Sequence, residues 1–170
     1  MIHVNSFLAK KILVGPSTFA VTDQTPLNKL TQAGFSVIDN PYKRKLTKDE
    51  LLVLLSPDVT GIIAGLETLD RDVMQKSSLK VISRCGSGMS NVDLNAAREL
   101  GIHVCSTPMG PVESVAELTL ASLLNLLRHV SIMDRDLHQG HWNKKNGFLL
   151  QDKTVCVVGY GRIGRRLVEL

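Results

Sequence analysis

Apolar residues in the first two-thirds of the chain come in short runs separated by polar stretches of helical period. Lys10-Lys11-Ile12-Leu13-Val14 runs into Gly15-Pro16-Ser17, a strand closed by turn residues. Thr25 to Ala33 reads as a helix, with Pro26 in its first turn and Gly34 just past its end. Phe35 to Asn40 predicts a second strand. Thr47 to Leu55 opens with Thr-Lys-Asp-Glu, the spacing of a capping box. Strands are predicted again at Gly61–Leu66, Leu79–Cys85 and Ile102–Thr107. Between them lie helices at Leu69–Ser77 and Asn91–Leu100, the latter stopped by Gly101.

Strands alternating with helices at this spacing predict an α/β fold with a parallel, flavodoxin-like sheet and helices on both faces. Runs without a polar alternate predict strands buried on both sides. Right-handed crossovers place every strand's carboxyl end on one edge, where ligands bind at the switch in strand order. After Pro108 the pattern changes. Val112 to about His138 predicts one long helix, apolar around most of its circumference, then a polar arm from His141 to Lys153. Val155–Val158 predicts a strand that leads into a glycine turn and a final helix. The expected organisation is residues 1–108 as one domain. Residues 109–170 are then the long helix, the arm and the first β-α unit of a Rossmann domain.

Composition changes this picture little. The chain has 170 residues, 44% hydrophobic and 21% charged, the profile of a globular protein rather than a disordered one. Only 4% are aromatic, so aliphatic side chains must fill the core. The longest apolar stretch, Leu118–Leu127, falls short of the ~20 residues a bilayer needs, which argues against a membrane partner. The first eleven residues carry no secretory pattern, and a cytoplasmic protein is expected. Cys85, Cys105 and Cys156 sit in apolar runs and read as reduced, buried thiols without zinc spacing. The net charge of +4 raises nucleic acid as a partner. The basic clusters are dispersed among acidic neighbours and lack interleaved aromatics, which argues against it.

Chemistry concentrates in two glycine turns. Gly159-Tyr160-Gly161-Arg162-Ile163-Gly164 is G-x-G-x-x-G between a predicted strand and a helix, the context of dinucleotide binding. Gly159 would allow the tight turn, Gly161 the approach of a pyrophosphate, and Gly164 close helix packing. The phosphates would rest on free N–H groups at the positive end of the helix. An acidic residue for the adenosine ribose is expected ~20 residues beyond the glycines, past Leu170, so the chain reads as truncated. The second turn, Arg84-Cys85-Gly86-Ser87-Gly88, ends the fourth strand. Its N–H groups, the Ser87 hydroxyl and the Arg84 charge suit a carboxylate. A plain turn with Arg84 solvated fits the spacing equally well.

The ordered motifs LKVISRCGSGMSNVDLNAAREL, GIHVCSTPMGPVESVAELTL, the long helix, Gly-His-Trp and LLQDKTVCVVGYGRIGRRL resemble the D-2-hydroxyacid dehydrogenase family. GIIAGLE points within it to the branch that oxidises 3-phosphoglycerate. The resemblance implies a flavodoxin-like substrate domain and a Rossmann domain. It also implies hydride transfer between C2 of a small anionic 2-hydroxy or 2-oxo acid and NAD, with NADP not excluded. It implies that Gly159, Tyr160, Gly161, Arg162, Ile163, Gly164 and Ser87 bind the cofactor. Arg84, Ser87 and Gly88 would bind the substrate. Val112, Glu113 and Val115 would line the cleft. Trp142, Lys144 and Lys145 would belong to an arm that reaches a partner subunit in a homodimer. The family's catalytic Arg, Glu and His correspond to no residue of this chain, none of the five histidines matches, and no metal is expected. The chain alone is therefore expected to be inactive. Loss of chemistry in the family gives an alternative, a non-catalytic NAD-binding and dimerisation module. Met89-Ser90, Ser106 and Cys156 depart from the family pattern.

Overall fold

The structure is a computed structural model that describes residues 10–170. The amino-terminal pattern and His3 lie outside the described residues. The chain divides into two compact units, the first ending at Pro108 and the second running from Met109 to Leu170.

In the first unit the predicted alternation forms. The elements are β1 (Lys11–Val14), α1 (Thr25–Gln32), β2 (Ser36–Asp39), α2 (Lys48–Leu54) and β3 (Val59–Ala64). Then follow α3 (Arg71–Gln75), β4 (Val81–Arg84), α4 (Leu94–Glu99) and β5 (His103–Ser106). All neighbouring strands pair in parallel, in the order β2-β1-β3-β4-β5. That is the flavodoxin-like order, whose switch point lies between β1 and β3. Register places Ile38, Leu13, Ile62, Ile82 and Val104 in one row across the sheet. Leu13, Ile62 and Ile82 are fully buried against Leu51 of α2, Val73 and Met74 of α3, and Ala96 and Ala97 of α4. Burying each large aliphatic side chain is worth roughly 1.5–3 kcal/mol.

The opposite face corrects the expectation of strands buried on both sides. Ile12, Ile63, Val81, Ser83 and Cys105 border a groove of about 670 Å³, with Leu30 of α1 and Phe35 at its margin. Val81 is 42% exposed. The thiols are corrected too, since all three cysteines are free and exposed. Cys85 follows β4 into the turn and Cys105 lies on the open face of β5. An apolar run does not say which of its residues points to the core.

Side chains cap the helices. Asp70 accepts from Val73 N–H at the start of α3, and Asp93 from Ala96 N–H at the start of α4. The capping box forms as predicted: Thr47 Oγ1 accepts from Glu50 N–H, and Glu50 Oε2 accepts from Thr47 N–H at 2.9 Å. Glu50 also takes both Arg44 terminal nitrogens, at 2.6 and 2.9 Å. The guanidinium, then the Thr47 N–H, hold the Glu50 carboxyl down at about 2, from an ordinary 4.5. The folded-state value is depressed. The stability Glu50 contributes is therefore full above about 4.5 and lost as pH falls towards about 2. Glu50→Gln is expected to flatten the acid slope of the melting temperature across that window; an unchanged slope would assign it to other carboxylates.

In the second unit the predicted long helix is two. α5 (Val112–Arg128) and α6 (Val130–His138) meet at 66°, with His129 left-handed at φ 56. The break has local causes. Leu127 O accepts from Phe148 N–H at 2.9 Å, so the arm takes a carbonyl from the helical ladder. Asn125 Oδ1 accepts from Ser131 N–H at 2.9 Å and supplies the first turn of α6. Among the described residues no single helix is long and apolar enough to cross a membrane. The chain ends in α7 (Arg162–Glu169). Val155–Val158 forms no strand, contrary to expectation; Val158 is 97% exposed and Cys156 exposed with it. Strand geometry needs a partner ladder, and none of the described residues supplies one.

Candidate functional site

The second unit carries the first glycine turn. Gly159 has φ +99, a conformation that costs any other residue energy. A Cβ on Gly164 would stand 2.2 Å from Gly159 O, so α7 abuts the turn as closely as backbone allows. A Cβ on Gly161 would meet nothing within 4 Å, so the side from which a diphosphate would come is open. Gly161 is the N-cap of α7, and no side chain bonds there. The first-turn N–H groups of Arg162, Ile163 and Gly164 thus keep their donors free at the positive helix end. These residues fit a dinucleotide pyrophosphate. α7 is fixed by Arg166, whose Nε donates to Glu113 Oε2 at 2.8 Å, tying it to the start of α5. The neighbouring Val112 is buried and Val115 is 37% exposed.

The first unit carries the second turn. Parallel strands end together, so Gly15–Thr18 after β1, Gly65–Glu67 after β3, and Arg84–Cys85 at β4 border one pocket of about 270 Å³ with Lys45. Gly86 has φ +139, and its N–H donates to Thr107 Oγ1 at 2.8 Å while Thr107 N–H donates back to Gly86 O. Of the turn's amides, Gly86 is thereby occupied, whereas Ser87 and Gly88 are exposed and have no such partner. Arg84 is half-buried and is aimed by its neighbours. Its Nε donates to Asn91 Oδ1 at 3.3 Å and its Nη1 to Cys85 O, leaving Nη2 without a partner among the described residues.

Three residues that the sequence did not single out build this pocket. Asn91 Nδ2 donates to Glu67 O at 2.6 Å and to Gly65 O at 3.2 Å, joining the β3 loop to Arg84. Glu67 is 1% exposed, and its Oε2 accepts from Gly65 N–H at 2.5 Å. A Cβ on Gly15 would lie 2.8 Å from the Glu67 carboxylate, so glycine there makes its room. Asn40, 7% exposed, donates to Gly15 O and to Arg44 O, both at 2.7 Å. The one signal in the sequence was an acid, Glu67, inside an otherwise apolar stretch. His103 is exposed at the amino end of β5, the edge opposite the Arg84 turn. Trp142 is 82% exposed in the arm beside Lys144 and Lys145. Among the described residues no three metal-ligating side chains cluster.

These features coincide with similarity to known proteins. Residues 18–160 match the family of the D-isomer specific 2-hydroxyacid dehydrogenase catalytic domain. The chain is 39% identical over 127 residues to a D-3-phosphoglycerate dehydrogenase of Methanocaldococcus jannaschii, covering 73% of this chain and 24% of that one. It is 35% identical over 128 residues to a hydroxypyruvate reductase of Thermotoga maritima, covering 73% of this chain and 42% of the relative. The fold is similar to that of an NAD-bound 3-phosphoglycerate dehydrogenase of Entamoeba histolytica. The TM-score is 0.75 at 26% identity, covering 95% of this chain and 50% of that structure. The chain thus spans less than half the length of these curated relatives.

Proposed function

The chain belongs to the D-isomer specific 2-hydroxyacid dehydrogenase family, and on that premise we propose that it is part of an NAD-dependent oxidoreductase acting on 3-phosphoglycerate. The observation that carries this reading is the open, uncapped start of α7 with Gly161 at its mouth. In it, residues 109–170 begin the cofactor domain, and Gly159–Gly164 hold the pyrophosphate on the amides of Arg162, Ile163 and Gly164. Residues 10–108 form the substrate domain. Arg84 Nη2 and the amides of Ser87 and Gly88 take the carboxylate and orient C2.

NAD, once bound, supplies the hydride acceptor. The residues of this chain bind and orient. The exposed apolar side chains Leu126, Val130, Leu137 and Trp142 support a homodimer built through α5, α6 and the arm.

The test is NADH formation at 340 nm by the protein carrying this chain, with D-3-phosphoglycerate and D-glycerate as substrates. Turnover with a lower KM for the phosphorylated acid is expected. NAD binding without turnover would turn the reading into a non-catalytic NAD-binding module. Absence of both would remove it.

A further inference from the structure

The turn that carries the carboxylate donors is held by one residue outside it. Arg84 stands opposite Ser106 in the β4–β5 register, so Thr107 is the first residue past β5 to meet the turn. Thr107 Oγ1 accepts from Gly86 N–H at 2.8 Å, and Thr107 N–H donates back to Gly86 O at 3.0 Å. Before the turn, Cys85 N–H donates to Ala64 O at 2.9 Å; beyond it, Met89 O accepts from Val92 N–H. Among the described residues, Gly86, Ser87 and Gly88 have no hydrogen bonds other than the two with Thr107. Pro108 follows directly and restricts Thr107 to an extended backbone, while its branched Cβ restricts the side chain. Both groups that grip Gly86 are therefore set before any ligand arrives.

We propose that Thr107 is a positioning residue for the substrate carboxylate, acting through Gly86 on the amides of Ser87 and Gly88 and on the Arg84 guanidinium. The proposal rests on the reading above, in which Arg84, Ser87 and Gly88 receive that carboxylate. Gly86 is the bed on which Arg84 lies. A Cβ there would stand 2.7 Å from Arg84 Nη1 and 3.2 Å from Arg84 Cζ, so the guanidinium rests against bare backbone. At φ +139 the residue holds a conformation that glycine adopts readily, but a free glycine has many others. The two bonds to Thr107 select this one. They also remove Gly86 N–H from the open donors, which leaves two successive amides for the two oxygens of a carboxylate. Asn91 takes Arg84 Nε, and Thr107 fixes the backbone beneath the far end of the same side chain.

The test sets Thr107→Val, which keeps the shape and loses the acceptor, beside Thr107→Ser, which keeps the acceptor. Both are made in the protein carrying this chain. Calorimetric titration with D-glycerate and fluorescence titration with NADH are run well below the melting temperatures, which thermal unfolding supplies. Thr107→Val is expected to weaken D-glycerate about tenfold, the size of one lost hydrogen bond, and to leave NADH affinity within about twofold. Thr107→Ser should recover most of the D-glycerate affinity. The role is overturned if Thr107→Val binds D-glycerate like the wild type, if Thr107→Ser binds it as poorly as Thr107→Val, or if NADH affinity falls by the same factor. Arg84→Met separates this inference from the reading beneath it. If Arg84→Met weakens D-glycerate and Thr107→Val does not, only Thr107 loses its role. If the wild type does not bind D-glycerate, or Arg84→Met leaves its affinity unchanged, the carboxylate assignment falls and the Thr107 role falls with it.

Discussion

Gly161→Val is expected to reduce dinucleotide affinity at least about hundredfold while leaving the melting temperature within a degree or two. Gly161 sits at φ −81, where any residue is at ease, and a Cβ there meets no protein atom within 4 Å. The fold therefore has no objection to the side chain. A diphosphate bound as proposed does, because that open space is where it would touch the free amides of the first turn of α7. A hundredfold loss corresponds to about 2.7 kcal/mol, comparable to forfeiting two charge-assisted hydrogen bonds. Gly164→Ala is the counterpart. Its Cβ would overlap Gly159 O, so it should cost stability and cofactor affinity together. Fluorescence titration with NADH, beside thermal unfolding, separates the two. Unchanged NADH affinity in Gly161→Val would place the pyrophosphate elsewhere.

Much of this architecture was legible because it is set by short-range pattern. Each strand of the first unit announced itself as an apolar run closed by turn residues. Thr47 and Glu50 fixed the start of α2 through atoms three residues apart. Gly159, Gly161 and Gly164 could be assigned separate tasks because each task is steric and local; the structure gives Gly159 a left-handed φ, Gly161 open space and Gly164 a close approach to Gly159 O. Features decided by distant partners were not legible. Val155–Val158 has strand composition, but a strand is a property of a pair. His129 breaks a continuous apolar pattern because Phe148, nineteen positions on, claims the Leu127 carbonyl. The exposure of Cys105 depends on which face α2, α3 and α4 cover. Lys45, Glu67 and Arg84 line one pocket from separate segments, and Asn91 bonds Arg84 as well as carbonyls 24 and 26 residues back. No spacing rule reports such a meeting; only the sheet order does.

Asn91→Ala is expected to cost about 2–4 kcal/mol and to weaken binding of any 2-hydroxy acid more than tenfold. One amide serves three groups in the first unit. Its Nδ2 satisfies Gly65 O and Glu67 O, and its Oδ1 receives Arg84 Nε. Alanine leaves both carbonyls without a donor, each at about 1–3 kcal/mol where water cannot enter, and Asn91 is itself half-buried. The guanidinium loses the contact that aims it, since its remaining bond is to the adjacent Cys85 carbonyl. Asn91→Asp divides these effects. A carboxylate still accepts from Arg84 Nε, but it donates to neither carbonyl. The aspartate variant should therefore be destabilised like the alanine variant yet keep more of its substrate affinity. A merely structural residue would show the same affinity in both variants once measured well below their melting temperatures. Unfolding curves and D-glycerate titrations on the pair decide between these outcomes. Equal affinities would detach Arg84 from the β3 loop, and with it the route by which Glu67 and Gly65 shape the carboxylate site.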